Sequence, residues 1–443
     1  MMTDSLGNGL LRRLTPYPAY KPSPVAWLEE VPVHWEVRRL KYLATVNDEA
    51  LAESTDPDVE IAYVDIGNVD SVEGITGGEE LVFEDAPSRA RRIVRQGDVI
   101  ISTVRTYLRA IARIEAADAN IIVSTGFAVI RPRHLDDGFI AYALRAPYFV
   151  ERVVAHSVGV SYPAINASDL ACLDIAFPPF AEQRAIAAYL DRETSKIDAL
   201  VAKKERLIEL LQEKRIALIS RAVTRGLDPD APMKESGVDW LGEIPAHWGV
   251  KQLKHLADFI NGAAFKPSEW RSVGTPIIRI QNLNGGVDFN HTTRTLPVKY
   301  SAQRGDLLFG WSGNRGTSFG PFLWWRDGEH YVNQHIFKVI PLGVTKEWFY
   351  WALRAVTFHV EQQAHGIIGM VHITRDELGS IYIPLLPDIS EQAAIAEFLE
   401  QETAKLDALV NKVSEAIERL QELRAAIISA AVTGRIDVRE EVA

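Results

Sequence analysis

Two kinds of hydrophobic pattern alternate along the chain. Apolar residues recur at three- and four-residue spacing at Ile197, Leu200, Leu207, Leu211, Leu218 and Ala222, and again at Leu406, Leu409, Ala416, Leu420, Leu423 and Ile427. This spacing predicts two amphipathic helices. Pro178 and Pro179 precede the first, Asp388 followed by Glu391 makes a capping-box-like start to the second, and Gly226 and Gly434 mark their ends. About 42 residues at 1.5 Å each predict a rod of roughly 60 Å, too long for an ordinary core helix and better explained by packing along its length. The segments Val46 to Phe177 and Phe259 to Leu386 are of the other kind. Short β-rich runs such as EIAYVDIG, GDVIISTV, NIIVSTGFAVIRP, TPIIRIQNL, GDLLFGW and YVNQHIFKVIP are punctuated there by glycine and proline. Each centre reads as a mixed α/β domain around an irregular sheet, with helices near Phe139 to Ala155 and Lys346 to Ala364.

The chain also repeats itself. EQRAIAAYLDRETSKIDALV (Glu182 to Val201) recurs as EQAAIAEFLEQETAKLDALV (Glu391 to Val410), with 13 of 20 positions identical at an offset of 209. LQEKRIALISRAVT (Leu211 to Thr224) aligns at the same offset with LQELRAAIISAAVT (Leu420 to Thr433). Upstream, WLEEVPVHWEVRRLKYLA from Trp27 returns as WLGEIPAHWGVKQLKHLA from Trp240, at an offset of 213. The unit is thus about 210 residues, a size typical of a domain with its appendages, and the obvious partner for each long helix is its own duplicate. The centres match only faintly, through Gly97-Asp98-Val99-Ile100 against Gly305-Asp306-Leu307-Leu308 and Tyr142-Ala143-Leu144-Arg145 against Trp351-Ala352-Leu353-Arg354.

Composition changes this picture little and charge changes it more. With 47% hydrophobic and 24% charged residues the 443-residue chain is globular. A net charge of -11 argues against a polyanionic partner. The distribution argues the other way: from Arg89 to Arg133 nine Arg face only Asp98, Glu115 and Asp118, and from Lys266 to Arg326 eight Lys and Arg face Glu269, Asp288 and Asp306. One cysteine, Cys172, permits no intrachain disulfide and no multi-cysteine zinc site. Neither a signal peptide nor a stretch of about 18 apolar residues is found, so a bacterial-type cytoplasm and no membrane are expected.

A chain of two variable domains, each opened by Trp-Leu-x-Glu-[Val/Ile]-Pro-x-His-Trp (Trp27 to Trp35, Trp240 to Trp248) and closed by a Glu-Gln-x-Ala-Ile-Ala helix, resembles the specificity subunit of type I restriction-modification systems. The resemblance covers nearly the whole chain and occurs twice in the right order. It implies an α/β (α+β) fold with an internal pseudo-two-fold duplication: two mixed α/β target recognition domains, each followed by a long helix, the helices packing as an antiparallel coiled coil. The expected divisions are an N-terminal extension (1–26), target recognition domain 1 (27–177), a central helix (178–226), a linker (227–239), target recognition domain 2 (240–386), a C-terminal helix (387–434) and a tail (435–443). The resemblance further implies a non-catalytic subunit reading a bipartite site in double-stranded DNA, one domain per half-site, while the rod sets the gap. Its partners would be two methyltransferase subunits, joined by restriction/translocase subunits. No cofactor is expected in this chain; S-adenosylmethionine, ATP and Mg would sit on the partners, which would carry out adenine methylation or restriction.

Candidate DNA contacts are suggested by residue type and place. In the first centre, Arg89, Arg91, Arg92 and Arg95 precede the strand GDVIIST, whose exit carries Ser102, Thr103, Arg105, Thr106, Tyr107 and Arg109; arginine forks match phosphates and guanine edges. The corresponding stretch GDLLFGWSGNRGTSFG offers Trp311, Ser312, Asn314, Arg315 and Thr317, with glycines that allow close approach. The repeat also sets Asn68 against Asn282, at an offset of 214, and Ser124-Thr125 against Asn333-Gln334, at 209; Arg279 joins this set. Phosphate contact is the commoner role for such arginines.

Catalytic chemistry is not expected. Phe177-Pro178-Pro179-Phe180 resembles the Asn/Asp-Pro-Pro-Tyr/Phe loop of amino-methyltransferases, but phenylalanine cannot accept hydrogen bonds from a target amino group. GWSGNRG lacks the Lys-Ser/Thr end of a phosphate-binding loop, and neither HExxH nor GxSxG occurs. His34 and His247 sit beside Trp35 and Trp248 at duplicated positions and read as structural, while His330, His335, His359, His365 and His372 show no ligand spacing, so no metal is proposed. The alternative is a coiled-coil scaffold or adaptor without DNA recognition, supported by the acidic total; a stand-alone methyltransferase or nuclease comes third.

Overall fold

The computed structural model describes residues 15–70, 72–115, 120–159, 163–363 and 370–442; the first 14 residues, Asp118, Ala364 and His365 lie outside them. Two compact units emerge. One comprises the chain up to Lys204 with Ser414 to the C-terminal end, the other Glu205–Val413. Each therefore takes part of both long helices.

Each unit holds two four-stranded sheets. In the first unit one sheet is antiparallel, in the order Ile111–Arg113, Val99–Ser102, Phe127–Pro132 and Ala44–Val46. The other runs Glu79–Val82, Glu60–Val64, Ile121–Ser124 and Ala90–Ile93, its central pair parallel. The second unit repeats both orders: Gly320–Leu323, Leu307–Gly310, Ile336–Pro341 and Ala257–Asn261 in one sheet, and Asn290–Thr292, Thr275–Ile278, His330–Val332 and Ser301–Ala302 in the other, again with a parallel central pair. Both four-stranded sheets are therefore duplicated in strand order where the sequence match is faint.

The apolar runs after each Gly-Asp pair lie between covered faces, so they read as continuous hydrophobics and not as alternation. Val99 and Ile101 enter the core against the helices, while Ile100 enters a second core with Val64 and Val123. Leu307 and Phe309 against Leu308 divide in the same way. The Gly-Asp pair makes the turn into the strand. Gly97 and Gly305 take φ of 85° and 86°, and the aspartates accept the backbone N–H of Arg95 and Gln303 at 2.8 and 2.9 Å. Asp98, 1% exposed, is matched by Arg131 and Asp306 by Lys338.

The Phe139 to Ala155 helix is in fact two, Asp137–Arg145 and Pro147–Ala155. Pro147 pushes Ala146 into extended backbone (φ -60°, ψ 138°) and breaks the helix. The second unit has Val356 at the duplicated position, and its helix Lys346–Gln363 runs through.

The long helices span Phe180–Arg225 and Ile389–Val432, 46 and 44 residues. They run antiparallel: Asp198 pairs with Arg424 in the first unit and Arg215 with Asp407 in the second, at 2.9 and 3.0 Å. On the first helix the less exposed stripe is Ile197, Val201, Lys204, Ile208, Leu211, Arg215, Leu218 and Ala222, an alternation of four and three that defines a coiled-coil seam. Leu200 and Leu207, expected on that face, stand 46% and 43% exposed beside it, and Leu409 of the second helix is exposed too.

The duplicated flanks fix head to rod. Glu182 accepts hydrogen bonds from Trp35 Nε1 (2.9 Å) and the Tyr17 hydroxyl (3.1 Å) and lies 2.7 Å from His34 Nε2. Glu391 likewise takes Trp248 Nε1 and His247 Nε2, both at 3.0 Å. The neighbouring glutamines are fully buried. Gln183 accepts from the Asp136 N–H and donates to the Pro178 carbonyl, and Gln392 does the same with Thr345 and Leu386. Each glutamine thus ties the start of a head helix to the start of a rod helix.

Candidate nucleic-acid interface

In the first unit the exit of strand Val99–Ser102 is closed by short bonds. Ser102 Oγ donates to the Val104 carbonyl, and Thr103 donates its N–H (2.8 Å) and hydroxyl (2.9 Å) to the Gly126 carbonyl. That places the Ser124-Thr125-Gly126 turn beside the loop. The Thr125 N–H donates to the Arg89 carbonyl at 2.8 Å, and Arg89 in turn reaches the Tyr63 hydroxyl (3.0 Å) and Asp65 (2.7 Å). The hydrogen bond to Tyr63, followed by the charges of Tyr63 and Asp65, holds the guanidinium pKa above its ordinary value. Arg89, Ser102, Thr103, Thr125 and the turn ending in Asn68 are therefore gathered at one end of the unit, with Arg105, Tyr107 and Arg109 exposed beyond them.

Arg91, Arg92 and Arg95 are not part of that group. Arg91 and Arg92 belong to strand Ala90–Ile93, with Arg91 laid over the Phe83 ring at 4.8 Å. Arg95 lies at the entrance of strand Val99–Ser102, opposite its exit, and holds Glu49 through two hydrogen bonds. The basic window is also less basic than its count. Arg89, Arg95, Arg113 and Arg131 are matched by Asp65, Glu49, Asp137 and the set Asp48, Glu49 and Asp98. Most of these acids lie outside the window and reach it only through the fold.

The second unit gathers a different chemistry at the same place. Trp311 donates its indole N–H to the Gln334 carbonyl at 2.9 Å, stacks on Phe337 and meets His335 and His372 edge-on or tilted within 5.3 Å. Ser312–Asn314 pairs with the strand Met370–His372. The loop is pinned at Asn314, whose N–H donates to Ser318 Oγ, and at Gly316, whose N–H donates to Glu361, both at 2.9 Å. Asn314, Arg315, Thr317 and Gln334 are exposed, Asn333 half-buried with its side-chain oxygen accepting the His335 N–H. Arg294 and Arg304 of the second basic window pair with Glu269 and Asp327.

Four expected contacts, Ser102, Thr103, Thr106 and Asn282, are buried inside the fold, and Asn68 is half-buried. Asn282 is fully buried, its amide donating to the Gly286 and Asp288 carbonyls and accepting the Arg279 N–H, so it shapes its loop and faces no ligand. Asn68 does the equivalent work by accepting the Asp65 N–H at 3.1 Å. Thr106 is buried with its hydroxyl on Ser157 at 2.9 Å. Arg279 is partly spent on Asn290 (2.8 Å) and the Trp270 ring. Residues the pattern reading missed are Leu108, exposed between Tyr107 and Arg109, and the aromatic neighbours His335 and His372. Leu108 carries no donor, and His372 is 61 residues from Trp311 along the chain. Among the described residues no cluster of His, Cys, Asp or Glu is placed to hold a metal ion, and no helix is long and apolar enough to cross a membrane.

The family model for the type I restriction modification DNA specificity domain matches this chain twice, over residues 32–210 and 245–419. The type I restriction enzyme EcoKI specificity subunit of Escherichia coli (strain K12) is 26% identical over 324 residues, covering 70% of this chain and 68% of that protein. The MjaVIII specificity subunit of Methanocaldococcus jannaschii is 26% identical over 326 residues, 69% and 71% of the two chains. The crystal structure of the HsdS subunit from Thermoanaerobacter tengcongensis superposes with a TM-score of 0.51 at 23% identity, over 92% of this chain and 98% of that one. A chain from a structural study of the assembly and conformational transition of the type I R-M system gives a TM-score of 0.72, also at 23% identity, over 91% and 98%. These two likenesses bear on the fold.

Proposed function

Because the chain belongs to the type I restriction-modification DNA specificity family, we propose that each unit reads one half of a split site in double-stranded DNA and that the helical rod sets the distance between the halves. The observation that carries this reading is the repetition of one two-sheet topology with different side chains at the same strand exit. One scaffold with two different surfaces suits two different half-sites, and the DNA specificity match leaves the scaffold-only alternative without support. Two methyltransferase subunits dock on the rod, where Leu200, Leu207 and Leu210 offer exposed apolar surface, and restriction/translocase subunits join them. S-adenosylmethionine, ATP and Mg reside on those partners, which methylate adenine or cut; this chain supplies the address and works in the cytoplasm.

The test is a genome-wide map of methylated adenine in cells with and without this chain. A split motif that appears only with the chain is expected. Its absence, or binding of the assembled complex to DNA that is insensitive to salt, would overturn the reading, because phosphate contacts release counterions and make affinity fall steeply with salt.

A further inference from the structure

The loop after strand Val99–Ser102 presents four exposed residues in sequence order: Arg105, Tyr107, Leu108 and Arg109. Tyr107 and Leu108 are 53% and 48% exposed, an adjacent apolar pair framed by two cations. Arg105 and Arg109 both lie in the left-handed region, with φ of 50° and 54°. Residues with long side chains hold that conformation only where their surroundings over-determine it. Here the surroundings do. Besides the bonds that Ser102 and Thr103 make to Val104 and Gly126, the Thr103 carbonyl accepts the Ile165 N–H at 2.8 Å, and the Thr106 hydroxyl meets Ser157. The loop is a braced finger whose buried side holds it while its tip faces outward. Arg109 is matched by no carboxylate among the described residues, unlike Arg89, Arg95, Arg113 and Arg131. The corresponding loop of the second unit exposes Asn314, Arg315, Gly316 and Thr317, with no apolar pair among them, and its Trp311 is turned in upon Phe337.

Resting on the proposed DNA-reading function, we infer that this finger determines base choice in one half-site: Arg109 takes O6 and N7 of a guanine, and Leu108 with Tyr107 packs on the 5-methyl group of a neighbouring thymine. A guanidinium fork matches the guanine edge in the major groove, and an apolar side chain distinguishes thymine by its methyl. The Thr106 hydroxyl on Ser157 before the apolar pair, and the Ala110 carbonyl accepting the Ser102 N–H at 2.9 Å after it, brace the backbone on both sides and fix the separation of the two contacts, which is what reading adjacent base pairs requires.

The experiment places Arg109→Ala, Arg109→Lys and the double change Tyr107→Ala with Leu108→Ala in the full chain, in cells holding its partner subunits, and maps methylated adenine against wild type. The expected result is that one half-site loses its demand for a base by about 10- to 100-fold at one or two adjacent pairs, while the other half keeps its sequence and reports that the complex assembled. Arg109→Lys keeps the charge without the fork and is expected to relax the same position. In a second arm the wild-type complex binds duplexes of the mapped site with 7-deazaguanine or deoxyuridine in that half, which should weaken it, while the matching variants no longer distinguish the substituted duplex. Variants that keep the wild-type motif, or lose selectivity equally in both halves, overturn this assignment alone. A wild-type map with no split motif overturns the reading function beneath it.

Discussion

The two glycines that end the long helices offer a sharp test of how the units are built. Both are left-handed, φ 72° at Gly226 and 74° at Gly434, so an alanine at either costs about 1–2 kcal/mol in backbone strain. Their surroundings differ. A Cβ at Gly226 would stand 3.3 Å from Trp248 Cζ2, which a small shift accommodates, whereas at Gly434 it would stand 2.5 and 2.7 Å from Pro32 Cδ and Cγ and 3.0 Å from Trp35 Cζ3. Trp35 is fully buried and held by Glu182, and the proline ring cannot swing aside. Overpacking of this kind adds about 1–3 kcal/mol. Gly226→Ala is therefore expected to cost about 1–2 kcal/mol and Gly434→Ala about 2–5 kcal/mol. The loss at Gly434 should fall on the unit containing Pro32 and Trp35, although the mutation lies near the C-terminus. Denaturant unfolding followed by tryptophan fluorescence, with the transitions of the two units analysed separately, measures both. Equal losses in the two variants, or a Gly434→Ala effect confined to residues 205–413, would refute the argument.

Other changes test single interactions. Gln183→Ala and Gln392→Ala each remove two buried hydrogen bonds and strand a backbone donor and acceptor, at about 2–4 kcal/mol apiece, read as a lowered unfolding midpoint. Arg131→Ala leaves Asp98 buried without its partner and should cost about 3–5 kcal/mol at neutral pH, with Arg131→Lys recovering part of it. For Asp198 and Arg424, a partly exposed pair on the rod, a double-mutant cycle should give a coupling of about 0.2–1 kcal/mol that shrinks at high salt.

The long helices and the repeat were legible because a three-four apolar period and a near-identical second copy are signals internal to the sequence. Finer placement was not. Leu200 and Leu207 satisfy a helical period, yet the seam runs through the neighbouring positions Val201, Lys204 and Ile208, since a two-helix rod covers one narrow stripe and hydrophobicity alone does not say which. Pro147 was a visible break inside an otherwise helical pattern. The charge windows misled for a different reason: Glu49, Asp65 and Asp137 lie apart from the arginines they neutralise, and a count along the chain does not see across strands.

Comparing the two copies separates scaffold from reading surface. Positions that agree between them turn out to brace the fold: Asp98 and Asp306 close the turn into a central strand, Asn68 and Asn282 hold a backbone turn through the same acceptor, and Glu182 and Glu391 bind a buried tryptophan. Asn68 and Asn282 were attractive as DNA contacts because they matched, and the match arises from the turn they hold. The strand exits differ most, a cationic and apolar finger in one unit and a Trp311-closed, glycine-rich loop in the other. Such loops can change without repacking, because the strands that carry them are buried on both faces whatever the loop's sequence. Two half-sites of different sequence demand that division, so the place to look for base choice is where the copies disagree at an exposed, braced position, which Tyr107, Leu108 and Arg109 satisfy and Asn282 does not.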